Sequence, residues 1–276
     1  MAQIVAVVAS THNPRIFWNR DQADKNDMDA LYATFADLRG MLARSAPDVI
    51  VAVANDHLDN FFFDQMPTFS VGTGPLIEGP FWYESEIMHL PHYRAAVQQK
   101  FAQHVLRTGV EAGVQFTQVR ELHIDHAFTL PLSFVRPESD LPIVPIMTNV
   151  FGYPIPSSPR WFELGQFLRR TIEAWPGKER VAIVVSFNMT VEVGGPKMGN
   201  YNFDWMRATL ELMRAGKLEE ILRFTVPQLI AEGNSTAEFL NYVAALGVVE
   251  DKPPDFIQHK PVKGVGTCPV AFWSLT

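Results

Sequence analysis

Gln3-Ile4-Val5-Ala6-Val7-Val8-Ala9 is an unbroken apolar run rich in valine and isoleucine. A strand with one wet face alternates apolar and polar residues, so a run without alternation reads as a strand covered on both sides. Residues 49–54 and 181–186 repeat the pattern, and 68–71, 114–119, 143–147 and 271–275 are shorter strand segments. Between them, helical periodicity predicts helices over 27–45, 92–110, 160–175, 203–215, 218–224 and 235–246. Strands alternating with helices predict an α/β fold with a largely parallel central sheet flanked by helices. No repeat or break in composition divides the chain, and 154–159 reads as a connector, so one domain over 1–276 is expected.

The composition narrows the functional classes. The 276 residues are 47% hydrophobic and 19% charged, which is ample for a buried core. A formal net charge of −7 argues against a nucleic-acid groove. The single cysteine, Cys268, excludes an intrachain disulfide and a cysteine zinc site. The opening MAQIVAVVAS lacks a basic segment ahead of its apolar run, so it reads as a strand and not as a signal peptide. No apolar run reaches bilayer length. The expectation is a soluble cytoplasmic protein, with a homodimer as the default assembly.

In open α/β sheets, ligands bind beyond the carboxyl ends of the strands. The first strand is followed by Ser10-Thr11-His12-Asn13-Pro14 and the second by Asn55-Asp56-His57. The strand at 114–119 leads to His123-Ile124-Asp125-His126, and the strand at 181 to Ser186-Phe187-Asn188-Met189-Thr190-Val191. A lone histidine after a strand is more often a loop residue bonded to backbone than a ligand. Histidines at equivalent ends of several strands carry more weight. His89, His92 and His104 read as surface or packing residues. A carboxylate would complete a facial triad, which suits non-haem Fe(II) and leaves coordination positions open. Glu238 is the candidate, although Ser235-x-x-Glu238 also has the spacing of a helix capping box.

The stretches 10–14, Asn55-Asp56-His57, 124–129 and Val193-Gly194-Gly195-Pro196-Lys197, in that order, resemble the class III extradiol ring-cleavage dioxygenases of the protocatechuate 4,5-dioxygenase β-subunit and gallate dioxygenase type. The resemblance runs from the first strand to about residue 267. It implies Fe(II) held by His12, His57 and Glu238, and a role for His126 beside the substrate hydroxyls or oxygen. It also implies a carboxylate contact at Thr267. Asn13, His123 and Phe187 are further candidates for the substrate pocket. One position departs from the family: Val191 stands where the resemblance implies the acid–base histidine, and valine cannot move a proton. Ring cleavage of a catechol-like or hydroxypyridone-like diol with molecular oxygen is therefore expected to be slow. Two other functions fit the same residues: a zinc hydrolase on the same site, and a non-catalytic subunit supporting a partner. The related enzymes often use a small helical partner subunit.

Overall fold

The computed structural model describes residues 1–190, 192–250, 252–259 and 261–275. The main sheet has eight strands: β1 (Gln3–Ser10), β2 (Val49–Asn55), β3 (Phe69–Gly72), β6 (Phe116–Val119), β8 (Ile143–Thr148), β9 (Arg180–Ser186), β10 (Phe256–His259) and β11 (Pro269–Ser274). Their order is β10-β11-β1-β9-β2-β8-β3-β6. A second, three-stranded sheet contains β4 (Leu76–Gly79), β5 (Tyr93–Ala96) and β7 (Leu122–His123). The helices used below are α1 (Arg15–Trp18), α2 (Lys25–Arg44), α3 (Trp82–Met88), α4 (Gln99–Glu111), α5 (His126–Val135), α6 (Ser158–Glu173), α7 (Phe203–Arg214), α8 (Leu218–Leu222), α9 (Val226–Ala231) and α10 (Phe239–Val249).

The fold is the expected α/β sheet flanked by helices. β1, β9, β2 and β8 run parallel in the middle. Every residue of β2 is buried, as is all of β1 after Gln3 and all of β9 after Arg180, which is why these segments carry no polar alternation. The antiparallel pairs are β11 on β1, β10 on β11 and β3 on β8. Helix α2 packs with α5, and α6 packs with α10. Among the described residues, no helix is long and apolar enough to cross a membrane.

The expected helix over 92–110 is corrected at its start. Tyr93–Ala96 is strand β5, with alternate residues buried, and α4 begins only at Gln99. Tyr93 and Ala95 face the core while Arg94 and Ala96 face out, a two-residue period that the apolar count had merged into a helical face. The strand expected at 114–119 is shorter, and the histidine-bearing segment after it belongs to the second sheet through β7. The last expected helix begins with a tight 3₁₀ turn, Thr236–Glu238, before α10. Of the histidines read as surface or packing residues, His92 pairs with Glu78 at 3.0 Å, His89 ends α3 in the left-handed region and His104 packs on Trp175.

Helices α6 and α10 approach closely because each presents a glycine to the other. A methyl group on Gly165 would strike the Ala244 carbonyl, and one on Gly247 would strike the Phe162 carbonyl. Backbone cannot swing aside as a side chain can, so Gly165→Ala should destabilise the protein by about 2–3 kcal/mol through overpacking. Urea unfolding measures this; a loss below about 0.5 kcal/mol would show that the helices separate freely.

Candidate metal centre and active site

β1 and β2 both run parallel to β9, which lies between them, so their carboxyl ends open on one edge of the sheet. His12 and His57 follow those ends. His12 is fully buried, and its Nδ1 lies 2.7 Å from Ser186 Oγ, the last residue of β9. His57 donates its backbone N–H and its Nδ1–H to Asp125 Oδ2, at 2.8 and 2.9 Å. A second chain of hydrogen bonds reaches the other side of that ring. Thr148 Oγ1 donates to Asn241 Oδ1, Asn241 Nδ2 to Asn55 Oδ1, and Asn55 Nδ2 points at His57 Nε2 from 3.3 Å. Both chains favour a lone pair on Nε2, whereas the Glu238 carboxylate on the same nitrogen favours a proton there.

Glu238 is 2% exposed and sits between these imidazoles. Its Oε1 is 3.2 Å from His57 Nε2, and its Oε2 is 3.1 Å from His12 Nε2. His12 Nε2 and Glu238 Oε2 are nevertheless out of line for a hydrogen bond, and each is buried without one. The capping-box geometry is not formed. Ser235 makes no side-chain cap bond and instead donates Oγ–H to Glu238 Oε1 at 3.0 Å. The carboxylate is thus turned toward the histidines.

His126 opens α5. Its ring stacks on His57 with centroids 4.0 Å apart, and its Nδ1 and backbone N–H both contact Glu84 Oε1, at 2.5 and 3.1 Å. Glu84 is fully buried on α3, and its Oε2 accepts from the Phe81 N–H. His12, His57 and His126 each offer a nitrogen within 4.8 Å of the others, so the cluster has three imidazoles and one carboxylate as potential donors.

The electrostatics follow from burial and pairing. Burial pushes His12 below its ordinary pKa despite the Glu238 carboxylate. Burial also opposes charge on His57, but Asp125 and Glu238 overcome it and hold the ring well above its ordinary value. Glu238 is buried yet lies well below the usual carboxylate range, because His12 and His57 favour its anion. Asp125, equally buried, is drawn down to about 2 by His57 and His126. Such buried anions require positive charge, from protons on the imidazoles or from a cation. A cation on the Nε2 atoms would displace those protons. The buried, unpartnered His12 Nε2 and Glu238 Oε2 fit that exchange. So do the outer hydrogen bonds of both rings, the arrangement that orients metal-bound histidines.

The cluster opens into a cavity of about 580 Å³ with Trp18, Met88 and Phe151 among its apolar walls, a volume suited to a small aromatic ligand. His12, His57, Glu238 and His126 all line it, as do Asn13 and Thr267. The polar groups of the last two are already engaged. Asn13 Nδ2 donates to the carbonyls of Val265 and Thr267, while Thr267 Oγ1 donates to that of Met189. Two expected pocket residues are not brought there. His123 is exposed on β7 beside Phe81, outside the cavity wall. Phe187 is fully buried against Tyr242 and Phe239. The alternation of the preceding strand continues past its end, so Ser186 and Asn188 turn to the site and Phe187 turns away. Val191 lies outside the described residues; Thr190 beside it is buried, with Oγ1 donating to the Glu232 carbonyl.

Sequence reasoning gave no role to Glu84, Asp125, Ser186 or Arg15. Asp125 and Ser186 stood inside the stretches of interest, and Asp125 also caps α5 through Ala127 N–H. Glu84 had no signal, being on a seven-residue helix distant in sequence from the histidine it contacts.

An α/β sheet with a histidine–carboxylate cluster at its carboxyl edge, beside a cavity, has donors that could hold a metal ion and room for a small ligand. The chain belongs to the family described as the catalytic LigB subunit of aromatic ring-opening dioxygenase, which matches residues 6–272. It is similar to a 2,3-dihydroxyphenylpropionate/2,3-dihydroxicinnamic acid 1,2-dioxygenase of Klebsiella pneumoniae subsp. pneumoniae, 27% identical over 190 residues, covering 68% of this chain and 57% of that protein. A protein of the same description from Escherichia coli O139:H28 is 28% identical over 144 residues, covering 52% of this chain and 44% of that one. The chain thus spans about half the length of these curated relatives. Among solved structures, the uncharacterized protein JW3007 from Escherichia coli K12 shares the fold, with a TM-score of 0.60 at 16% identity over 97% of this chain and 99% of that one.

Proposed function

We propose that this chain is an Fe(II)-dependent extradiol dioxygenase that opens a small catechol-like or hydroxypyridone-like ring with molecular oxygen. The observation that carries the proposal is the convergence of His12 Nε2, His57 Nε2 and the Glu238 carboxylate at one cavity wall, with the far nitrogens of both rings tied to Ser186 and Asp125. Two imidazoles and one carboxylate suit non-haem iron and leave positions for substrate and oxygen. The family, and the dihydroxyphenyl substrates in the relatives' names, support the same chemistry. The bound metal would supply a Lewis-acidic, redox-active centre that joins diol and oxygen.

The chain's own residues have three tasks. Ser186, Asp125 and the Asn55–Asn241–Thr148 chain hold the ligand rings in orientation. Trp18, Met88 and Phe151 offer apolar surface for a flat ring and exclude water. His126, with Nδ1 held by Glu84, has Nε2 left to take a proton from a substrate hydroxyl and return one later. With valine at 191, this pair carries the proton traffic alone, and turnover is slow.

The test is oxygen uptake after anaerobic loading with Fe(II), using a panel of catechols and hydroxypyridones and Zn(II)-loaded protein as control. Ring cleavage by the iron form, accelerated in Val191→His, is expected. Ester or amide hydrolysis by the zinc form, with no oxygen uptake by the iron form, would replace the dioxygenase with a hydrolase. Iron and diol binding without cleavage, even in Val191→His, would mark a non-catalytic subunit.

A further inference from the structure

Arg15 is the one permanently cationic side chain among the described residues lining the cavity. It lies three residues beyond His12, at the start of α1, and is only partly exposed. No carboxylate among the described residues pairs with it. Among the described residues its guanidinium makes one hydrogen bond, Nη1 to Tyr201 Oη at 3.4 Å, which leaves most of the donor fork unspent. Glu192, an acidic group on the same cavity, forms no ion pair with it. A partly desolvated guanidinium without an anion is costly unless a ligand completes it.

The surroundings hold this side chain in place. Tyr201 donates its own hydroxyl to the Val265 carbonyl at 2.8 Å, so its oxygen is fixed as an acceptor for Arg15. Gly199 has φ +81°, and a methyl group there would stand 2.5 Å from Arg15 Nη1, so the glycine makes room for the guanidinium. The Arg15 backbone N–H donates to Asn13 Oδ1, and Asn13 is tied in turn to the segment 265–267. Thr267, the other candidate for a carboxylate contact, has spent its only proton on the Met189 carbonyl.

We infer that Arg15 is an anion subsite of this cavity, fixing the carboxylate of a ring-borne side chain while the diol faces the histidine–carboxylate cluster. The inference rests on the dioxygenase function proposed above for the diol end, but the subsite itself needs no metal. A planar guanidinium offers a carboxylate two parallel N–H groups, which selects an anion over a neutral amide of the same shape.

The experiment compares 3-(2,3-dihydroxyphenyl)propionate with its amide, and 3-phenylpropionate with its amide. Kd is measured calorimetrically for the dihydroxy pair on anaerobic Fe(II)-loaded protein, and by ligand-observed NMR for the phenyl pair on metal-free protein. The carboxylates should bind about 10–100-fold more tightly than the amides. Arg15→Met should erase that preference while amide affinity changes less than about 3-fold, and Arg15→Lys should restore part of it. Circular dichroism confirms that each variant is folded. Equal binding of acid and amide by the parent chain would overturn the subsite, and so would an equal loss for both in Arg15→Met. If the diols fail to bind the iron form while 3-phenylpropionate still shows Arg15-dependent preference over its amide, the dioxygenase proposal falls and the subsite stands. If 3-phenylpropionate shows no such dependence, the subsite falls whatever the diols do.

Discussion

Glu238→Gln should strip the metal while leaving the fold intact. The carboxylate is held 3.1 and 3.2 Å from two imidazole nitrogens, and its oxygens are the only anionic ones that contact both His12 and His57 among the described residues. Glutamine keeps the shape but removes the charge that offsets a buried cation. Loss of an outer-sphere partner alone costs about 10–100-fold in metal affinity. Loss of a charged ligand should therefore cost at least about 100-fold. Any loss of stability in the metal-free protein should come from the broken pairing with His12 and His57 and not from helix capping, because Ser235 forms no cap that the substitution could break. Equilibrium dialysis against Fe(II), with iron counted per chain, gives the answer; His12→Ala and His57→Ala should behave alike. Stoichiometric iron in Glu238→Gln would remove the glutamate from the ligand set.

His126→Phe should separate proton transfer from metal binding. Phenylalanine preserves the stack on His57 but has no nitrogen to exchange a proton. If the His126–Glu84 pair moves protons, iron content stays near that of the parent. Single-turnover oxygen consumption with bound diol then falls by about 10²–10⁴-fold. Glu84→Gln should lower it less, because glutamine still accepts a hydrogen bond from Nδ1. Loss of iron in His126→Phe would instead make the three imidazoles the ligand set, a grouping their mutual approach within 4.8 Å permits.

The sheet was legible because β1, β2 and β9 are covered on both faces, and burial on both faces writes an apolar run into the sequence. The same strands placed His12 and His57, since a parallel sheet sends the residues after its strands to one edge. The second sheet was not legible. β4, β5 and β7 have two to four residues each, too short for a period, and Tyr93–Ala96 fell inside an apparent helix. His123 lies off the cavity wall for that reason, as it rides on the two-residue β7 and not on the main sheet. Phe187 turns away from the cavity because side-chain alternation outlasts the hydrogen-bonded strand. Glu84 was invisible because its partner His126 lies on a different helix, and nothing local to either residue announces the pair.

The close approach of α6 and α10 has a mechanical consequence at the far end of the second helix. Glu238 immediately precedes α10, so the carboxylate rides on a rod whose height is set by Gly165 and Gly247 pressed backbone to backbone. That packing fixes where α10 starts, and the Ser235 hydroxyl, donating to Oε1, orients the carboxylate from the turn just before it. Two residues without side chains, well away from the histidines, thus help set how far the carboxylate stands from them, and any cation bound there would have to match that spacing.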